Sequence, residues 1–539
     1  MAIAQNDLPG SALTPKQIFL ALTSVFVGYF IYSYYLQTLN IAAPKIAADL
    51  NGMALYSWSV SIPGLGLAVG TLFAGKLSDI YGRRVVLLVS LIIGIIGTVL
   101  SALSPTFISF IASRTFLLLG MGSMAPLSST VIGDIYAGGV ERSKWIGLLN
   151  IPFGLPCVIG PTLSGWLVDN LSWRHIFWWI VPLIVVCTVI TYTMPSLLQG
   201  TARKIDVAGG IMATVSLSAL IFGLSFAGTT YPWLSKEVIG LLAIALIFGL
   251  LFLRAESRAA EPILDLALLK NRVFMTVSIA GFLSFFGVVA IALYYPLLMQ
   301  GIQGMSAMES GQIITPFGVL MAFCGVPTGF LIARTKRYKY LYIVGSAMIT
   351  AVLFGMIYFG QDTPVFWGVT AAVLAGLGLG TIPTINTLVT QAAVPKKLLG
   401  VAMGALFFSI AMGMALAPAL EGSAMNMTYS SSLKASLPAA LNQVADEAIM
   451  TSIGNPRVLL SESAMNDLRE SLIKRENGQA LFEQTVAAIR FSMESGLRMV
   501  FIIAAILTLI SFLMIITIPP ISLEAAEEKE VAKPVATTV

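Results

Sequence analysis

Long apolar runs separated by short polar joints recur along the whole 539-residue chain, and they set its architecture before any motif is read. A helix needs about 20 mostly apolar residues to cross the hydrocarbon core of a bilayer. Runs of that kind predict fourteen spanning helices, at roughly 18–43, 55–79, 85–103, 105–135, 144–168, 174–195, 206–228, 235–254, 273–299, 310–333, 339–360, 364–392, 399–424 and 492–518. One polar segment, about 426–490, is long, and it joins the last two runs. It carries helix-start patterns at Ser436-Leu437-Pro438 and Ser461-Glu462. A connection of that length is functional or flexible, and a cap over the outer mouth is one role for it. The acidic tail after Ile521 is expected to be a disordered cytoplasmic end.

Composition sharpens this picture. Hydrophobic residues make up 57% of the chain and charged residues 11%, with a mean hydropathy of +0.88. Soluble domains carry about 25% charge, so a soluble enzyme, a nucleic-acid module and a disordered scaffold are all excluded. The lipid bilayer is the expected partner, and no nucleic acid is. The basic residues fall in the joints. With the N-terminus inside, the inner loops hold Arg83/Arg84, Arg142/Lys144, Arg203/Lys204, Arg254, Arg258, Lys270, Arg272, Arg334, Lys336, Arg337, Lys339 and Lys396/Lys397. The short outer loops hold only Lys45, Arg174 and Lys236, an asymmetry that predicts both termini on the cytoplasmic side. Trp173, Trp178, Trp233 and Tyr231 fall near outer ends, where interfacial anchors are expected. The first run follows Lys16 without a small-residue cleavage site and is read as a retained span. Cys157, Cys187 and Cys324 lie inside apolar runs, and His175 is the single histidine, so neither a metal site nor a cofactor is expected.

The joint after the second run reads Gly75-Lys76-Leu77-Ser78-Asp79-Ile80-Tyr81-Gly82-Arg83-Arg84. Its glycines allow close helix approach, Asp79 suits a helix N-terminus, and Arg83 suits a carboxylate. The segment resembles the G-x-L-x-D-x-x-G-R-R/K loop of the major facilitator superfamily, which implies gating by Gly75, Asp79, Gly82, Arg83 and Arg84. A weaker copy, Gly329 to Arg337, keeps the leading glycine and basic end but has Ala333 in place of the acid. The fold implied is all-α and membrane-integral, with two pseudo-symmetric six-helix bundles. Fourteen spans resemble the drug:H⁺ antiporter branch, arranged six plus two plus six. That places one bundle in residues 1–200, two linking helices in 201–260, the second bundle with its outer loop in 261–521, and a tail at 522–539.

Further segments carry the resemblance. Gly160-Pro161-Thr162-Leu163-Ser164-Gly165 is similar to the branch's antiporter motif, and Pro161 is expected to bend its helix while the glycines pack closely. Asn40 to Pro44, Arg114 with Pro126-Leu127-Ser128, Ser172 to Phe177, Glu261 to Asp265 and Gln300 match other stretches. Two departures bear on mechanism. Tyr35 stands where the branch has an acid, and Arg114-Thr115-Phe116-Leu117-Leu118 lacks the usual Gln and Gly. Tyr35 and Arg114 each lie nine residues inside a flanking proline, at equal depth of about 14 Å, so they are expected to face one another. Tyr32, Tyr35, Gln37, Asn40, Arg114 and Gln300 are the expected substrate-binding residues. An aromatic wall suits amphipathic ligands, and Arg114 without the acid favours neutral or anionic ones.

These features predict a secondary transporter of the cell membrane that exports small amphipathic compounds by alternating access. The resemblance implies proton-coupled, multidrug-type efflux. Phenol titrates only near pH 10, which makes Tyr35 a poor proton carrier. Asp134 and Glu421 are the acids left for that task. A dedicated exporter of one metabolite or lipid, and a sensor that binds without transporting, stay open at this point.

Overall fold

The computed structural model describes residues 13–51, 58–136, 139–196, 206–228, 231–259, 262–438, 441, 450, 453–454, 458–459, 462–473 and 478–519. All fourteen apolar runs are helical. The first half holds α1 (Pro15–Asp49), α2 (Trp58–Tyr81), α3 (Arg83–Ala102), α4 (Phe107–Met121), α5 (Met124–Ile135), α6 (Gly139–Leu148), α7 (Asn150–Asn170) and α8 (His175–Thr193). Next come α9 (Val207–Phe226) and α10 (Lys236–Glu256). The second half holds α11 (Leu266–Lys270), α12 (Arg272–Val289), α13 (Tyr295–Gly301), α14 (Ala307–Phe323), α15 (Gly325–Thr335), α16 (Lys339–Met356), α17 (Val365–Ala393), α18 (Leu399–Ser436), α19 (Glu462–Ile473) and α20 (Gly478–Ile516). Among the described residues eleven helices are long and apolar enough to cross a membrane, or twelve with α14 and α15 taken as one bent span. α2 and the α6–α7 segment lie at two of the fourteen expected places without meeting that measure.

Four expected spans are interrupted, and proline explains where. Pro126, Pro152, Pro296 and Pro327 cannot donate to the carbonyl four residues earlier. The interruptions fall at Gly122–Ser123, at Leu149, in a π-helical turn over Ala290–Tyr294, and at Cys324, where the axis bends by 41°. The Gly122 carbonyl is recovered by the Thr71 hydroxyl of α2 at 3.1 Å. Pro161, expected to bend its helix, causes no interruption and lies inside a continuous α7. Pro63, Pro182, Pro316, Pro383 and Pro418 also sit within continuous helices.

The helices pack in two groups. α1 lies against α5, α7 and α8, and α3 against α4 and α8; α12, α16, α17, α18 and α20 form a second set. α9 and α10 pack mainly on each other, and α9 also touches α2 and α18. Across the two groups α2 meets α18, α6 meets α15, and α7 meets α14.

The outer segment differs from its expected outline. α18 continues to Ser436, and α20 begins at Gly478, so much of the 426–490 connection is helix added to two spans. Ser436 ends a helix there and does not start one. Tyr429, Leu433, Leu441, Ile453, Val458, Leu468 and Leu472 are buried together, and the Tyr429 hydroxyl donates to the Ile453 carbonyl at 2.5 Å. The start expected at Ser461 and the tail after Ile521 lie outside the described residues. α1 runs past its expected end to Asp49, with Lys45 and Asp49 paired at 3.2 Å on its last turn. Trp173 is not an interfacial anchor. It is buried against Phe110 and Phe177, with the Arg174 guanidinium over its ring at 4.3 Å.

Candidate functional site

The inner end of the α2–α18 contact is built from the first motif. Gly75 lets the helices touch backbone to backbone: a Cβ there would lie 2.2 Å from the Gly400 carbonyl oxygen. Asp79, one turn on, accepts from the Val401 amide at 3.0 Å through Oδ2. That amide belongs to the first turn of α18, where unpaired N–H groups and the helix dipole favour an anion. Gly82 then adopts φ +88°, a conformation that suits glycine, and turns the chain into α3. The turn carries Arg83 back beneath the motif. Its guanidinium pairs with Asp79 through Nη1, donates from Nε to Asp134 Oδ2 at 2.9 Å, and reaches the Ser78 hydroxyl at 2.6 Å. Arg83 is 1% exposed. One cation therefore ties two acids from different helices to the start of α18. Arg84 points elsewhere, over the Tyr192 ring at 5.2 Å.

The weaker copy makes the matching contact through small residues. A Cβ on Gly329 would lie 2.4 Å from the Ser143 carbonyl and 2.7 Å from the Gly147 Cα of α6. Two interrupted spans also meet here. Asn150, first residue of α7, donates to Thr384 at 2.9 Å, and Gly325, first residue of α15, leaves room for its amide. Gln391 of α17 donates to the Ser129 carbonyl of α5 at 2.8 Å. These contacts close the inner side. Sequence reasoning missed Gly400, Gln391 and Asn150. The first had a visible signal, a glycine three residues after the Lys396-Lys397 pair that opens a span.

The outer half of α1 departs from expectation. Tyr35 is fully buried, and its hydroxyl bonds Thr98 of α3 at 2.5 Å instead of facing Arg114. Arg114 is buried and donates to the Ser59 carbonyl at 2.8 Å, so its charge is directed at α2 backbone. A buried hydroxyl or guanidinium is stable only with acceptors at hand, and the neighbouring helices supply them. Gln300 likewise bridges to Ser310 at 2.8 Å, holding α13 to α14. What remains as a wall is aromatic. Tyr29 and Tyr32 stack at 5.7 Å, and Tyr29 continues onto Phe153 of α7 at 5.6 Å. Gln37 lies beside Gly160, whose Cβ would meet Gln37 at 3.4 Å and Thr38 at 3.2 Å. Gly165, expected to pack closely too, has open space about it. The side chains of Asn40 and Pro161 lie outside the described residues.

The two candidate acids differ sharply. Asp134 is held by Arg83. Glu421, expected near the outer surface, is 0% exposed within α18, and among the described residues neither carboxyl oxygen has a hydrogen-bond partner. It shares a helix face with Met425, which packs on Gly496 of α20. No cluster of side chains suited to a metal ion occurs among the described residues.

The family model described as Major Facilitator Superfamily matches residues 25–418. The multidrug transporter protein MdtP of Bacillus subtilis (strain 168) is 29% identical over 95% of this chain and 96% of its own length. Multidrug resistance protein 3 of the same organism is 27% identical over 80% of this chain and 84% of its own. Among solved structures, the human organic anion transporter MFSD10 (TETRAN) is similar with a TM-score of 0.58 at 15% identity, covering 93% of this chain and all (100%) of that one.

Proposed function

Because this chain belongs to the Major Facilitator Superfamily, we propose that it exports small amphipathic compounds by alternating access, driven by a proton gradient. In this reading residues 1–200 and 261–521 are the two rocking bundles, residues 201–260 add a flanking helix pair, and 522–539 form a tail. The observation that carries it is the Asp79–Arg83–Asp134 assembly at the start of α18. A buried cation shared by two acids, one of them holding a helix N-terminus of the other bundle, makes a closed state that opens as a unit. Its gating residues are Gly75, Asp79, Gly82 and Arg83. The Tyr29–Tyr32–Phe153 wall supplies area with few directional demands, which suits a broad range of amphiphiles. Both Bacillus relatives carry multidrug names, which supports a broad substrate range.

Glu421 is the proton carrier in this reading, in preference to Asp134. A carboxylate without ion pair or donor is costly inside the protein, and Glu421 is the buried acid whose oxygens no described residue holds, which leaves it available to exchange a proton. Asp134 is already paired with Arg83 and serves the gate. The test is uptake into inside-out vesicles with an imposed pH gradient and a panel of neutral, anionic and cationic amphiphiles. Gradient-stimulated uptake of several chemically unrelated compounds is expected. Stimulation of one compound alone would replace this reading with a dedicated exporter, and none, despite binding, with a sensor.

A further inference from the structure

A crevice of about 260 Å³ lies between α12 and α18, away from the gate and the aromatic wall. Leu264, Phe274, Phe282, Phe408 and Met412 give it an apolar lining. Ser278, also in the lining, is the exception. It is 5% exposed, and its hydroxyl has no hydrogen-bond partner among the described residues. Other hydroxyls of α12 are satisfied by their own helix: Thr276 donates to the Arg272 carbonyl at 2.7 Å and Ser284 to the Ala280 carbonyl at 2.6 Å. A buried donor left without an acceptor is destabilising, so the crevice is one acceptor short.

Beside Leu269, which lines the crevice, the chain offers the second half of a ligand. α11 ends at Lys270 and α12 starts at Arg272, both exposed on the cytoplasmic side by the charge rule. The neighbouring polar groups are occupied locally: Asp265 caps α11 through the Ala267 amide at 2.8 Å, and Asn271 caps α12 and donates to the Ala393 carbonyl. Arg272 and Ser278 are separated by about 9 Å of helical rise. Two cations at the surface, an unmet donor below them and an apolar slot beyond it follow the order of parts in a phospholipid.

We infer that this crevice binds an anionic glycerophospholipid of the inner leaflet. The phosphate sits on Lys270 and Arg272, an ester carbonyl accepts from Ser278, and an acyl chain fills the space between Phe282, Phe408 and Met412. This inference is independent of the export reading, since it concerns a resident lipid and not cargo.

Native mass spectrometry of the full chain in detergent tests it, with added phosphatidylglycerol or phosphatidylcholine as probes. One phosphatidylglycerol is expected to remain bound, with at least a tenfold preference over phosphatidylcholine. The double change Lys270→Gln/Arg272→Gln, on exposed residues that leave the fold intact, should cut that preference about fivefold or more. Ser278→Ala should weaken retention of both lipids, and Ser409→Phe should block the crevice. Equal retention of the two lipids, or unchanged retention in the charge and filling variants, would overturn the proposal. Competition by glycerol phosphate alone would also overturn it, because it would mean a headgroup site without a chain.

Discussion

Arg83 pairs with two carboxylates while almost wholly buried, and this decides what a single substitution does at the gate. Breaking one side of a buried pair costs about 3–5 kcal/mol, because the partner charge stays behind uncompensated. Asp79→Ala should therefore lower transport by tenfold or more while membrane insertion, followed by surface labelling, stays normal. Full activity would remove Asp79 from the gate. Gly75→Ala should act by volume instead of charge, since the obstruction it meets is the backbone of Gly400. A cysteine reporter on the inner side should then stay reactive under conditions that protect it in the parent. Glu421 gives the opposite case. Glu421→Gln keeps shape and removes the titratable group, so gradient-driven uptake should be lost with downhill exchange retained. Asp134→Asn should instead impair both, as a gate residue would. Gradient dependence that survives in Glu421→Gln would rule it out as the carrier. The motif residues were legible because the loop carries its family pattern intact. Tyr35 was not: a sequence gives its depth in the helix but not its rotation, and one face of α1 meets α3 while another meets α7.

At the scale of elements, spans are legible because the bilayer imposes a length and a polarity on them. Their interruptions were legible in principle, each lying within about two turns before a proline, yet Pro161 shows that proline alone does not decide. Neighbouring helices do. At Gly122 the Thr71 hydroxyl takes the orphaned carbonyl while also serving Leu67 at 2.7 Å. Thr71→Val should cost about 1 kcal/mol, read as a drop of a few degrees in the thermal unfolding midpoint. The helical extensions of α18 and α20 were missed because hydropathy marks the membrane and not the helix. Polar residues such as Asn426, Ser430 and Ser431 end the apolar run, while Tyr429 and Leu433 keep the helix going by burying one face. Loss of the Tyr429 hydroxyl in Tyr429→Phe leaves the Ile453 carbonyl without its donor, and should render the outer segment more sensitive to protease.

For the molecule as a whole, the contacts between the two helix groups gather on the inner side. Cysteines replacing Asn150 and Thr384, in a background without Cys157, Cys187 and Cys324, should form a disulfide that stops transport and is reversed by reductant. Activity that persists with the bridge closed would mean the two halves need not part there. The inner seam itself is lopsided. At one end it closes through a buried arginine and two acids; at the other, through Gly329 lying on the backbone of Ser143 and Gly147. The two ends therefore respond to different variables. Water must reach and rehydrate three ionised groups before the first can part, so its opening carries a barrier set by hydration. The second is held by dispersion between close backbones, which falls off within a fraction of an ångström, and by the Asn150–Thr384 hydrogen bond, so its parting exposes neutral groups. A seam made this way yields first at its neutral end. On that footing the expected motion is a peel that reaches the Arg83–Asp79–Asp134 cluster last, with the wetting of that cluster as its costliest step.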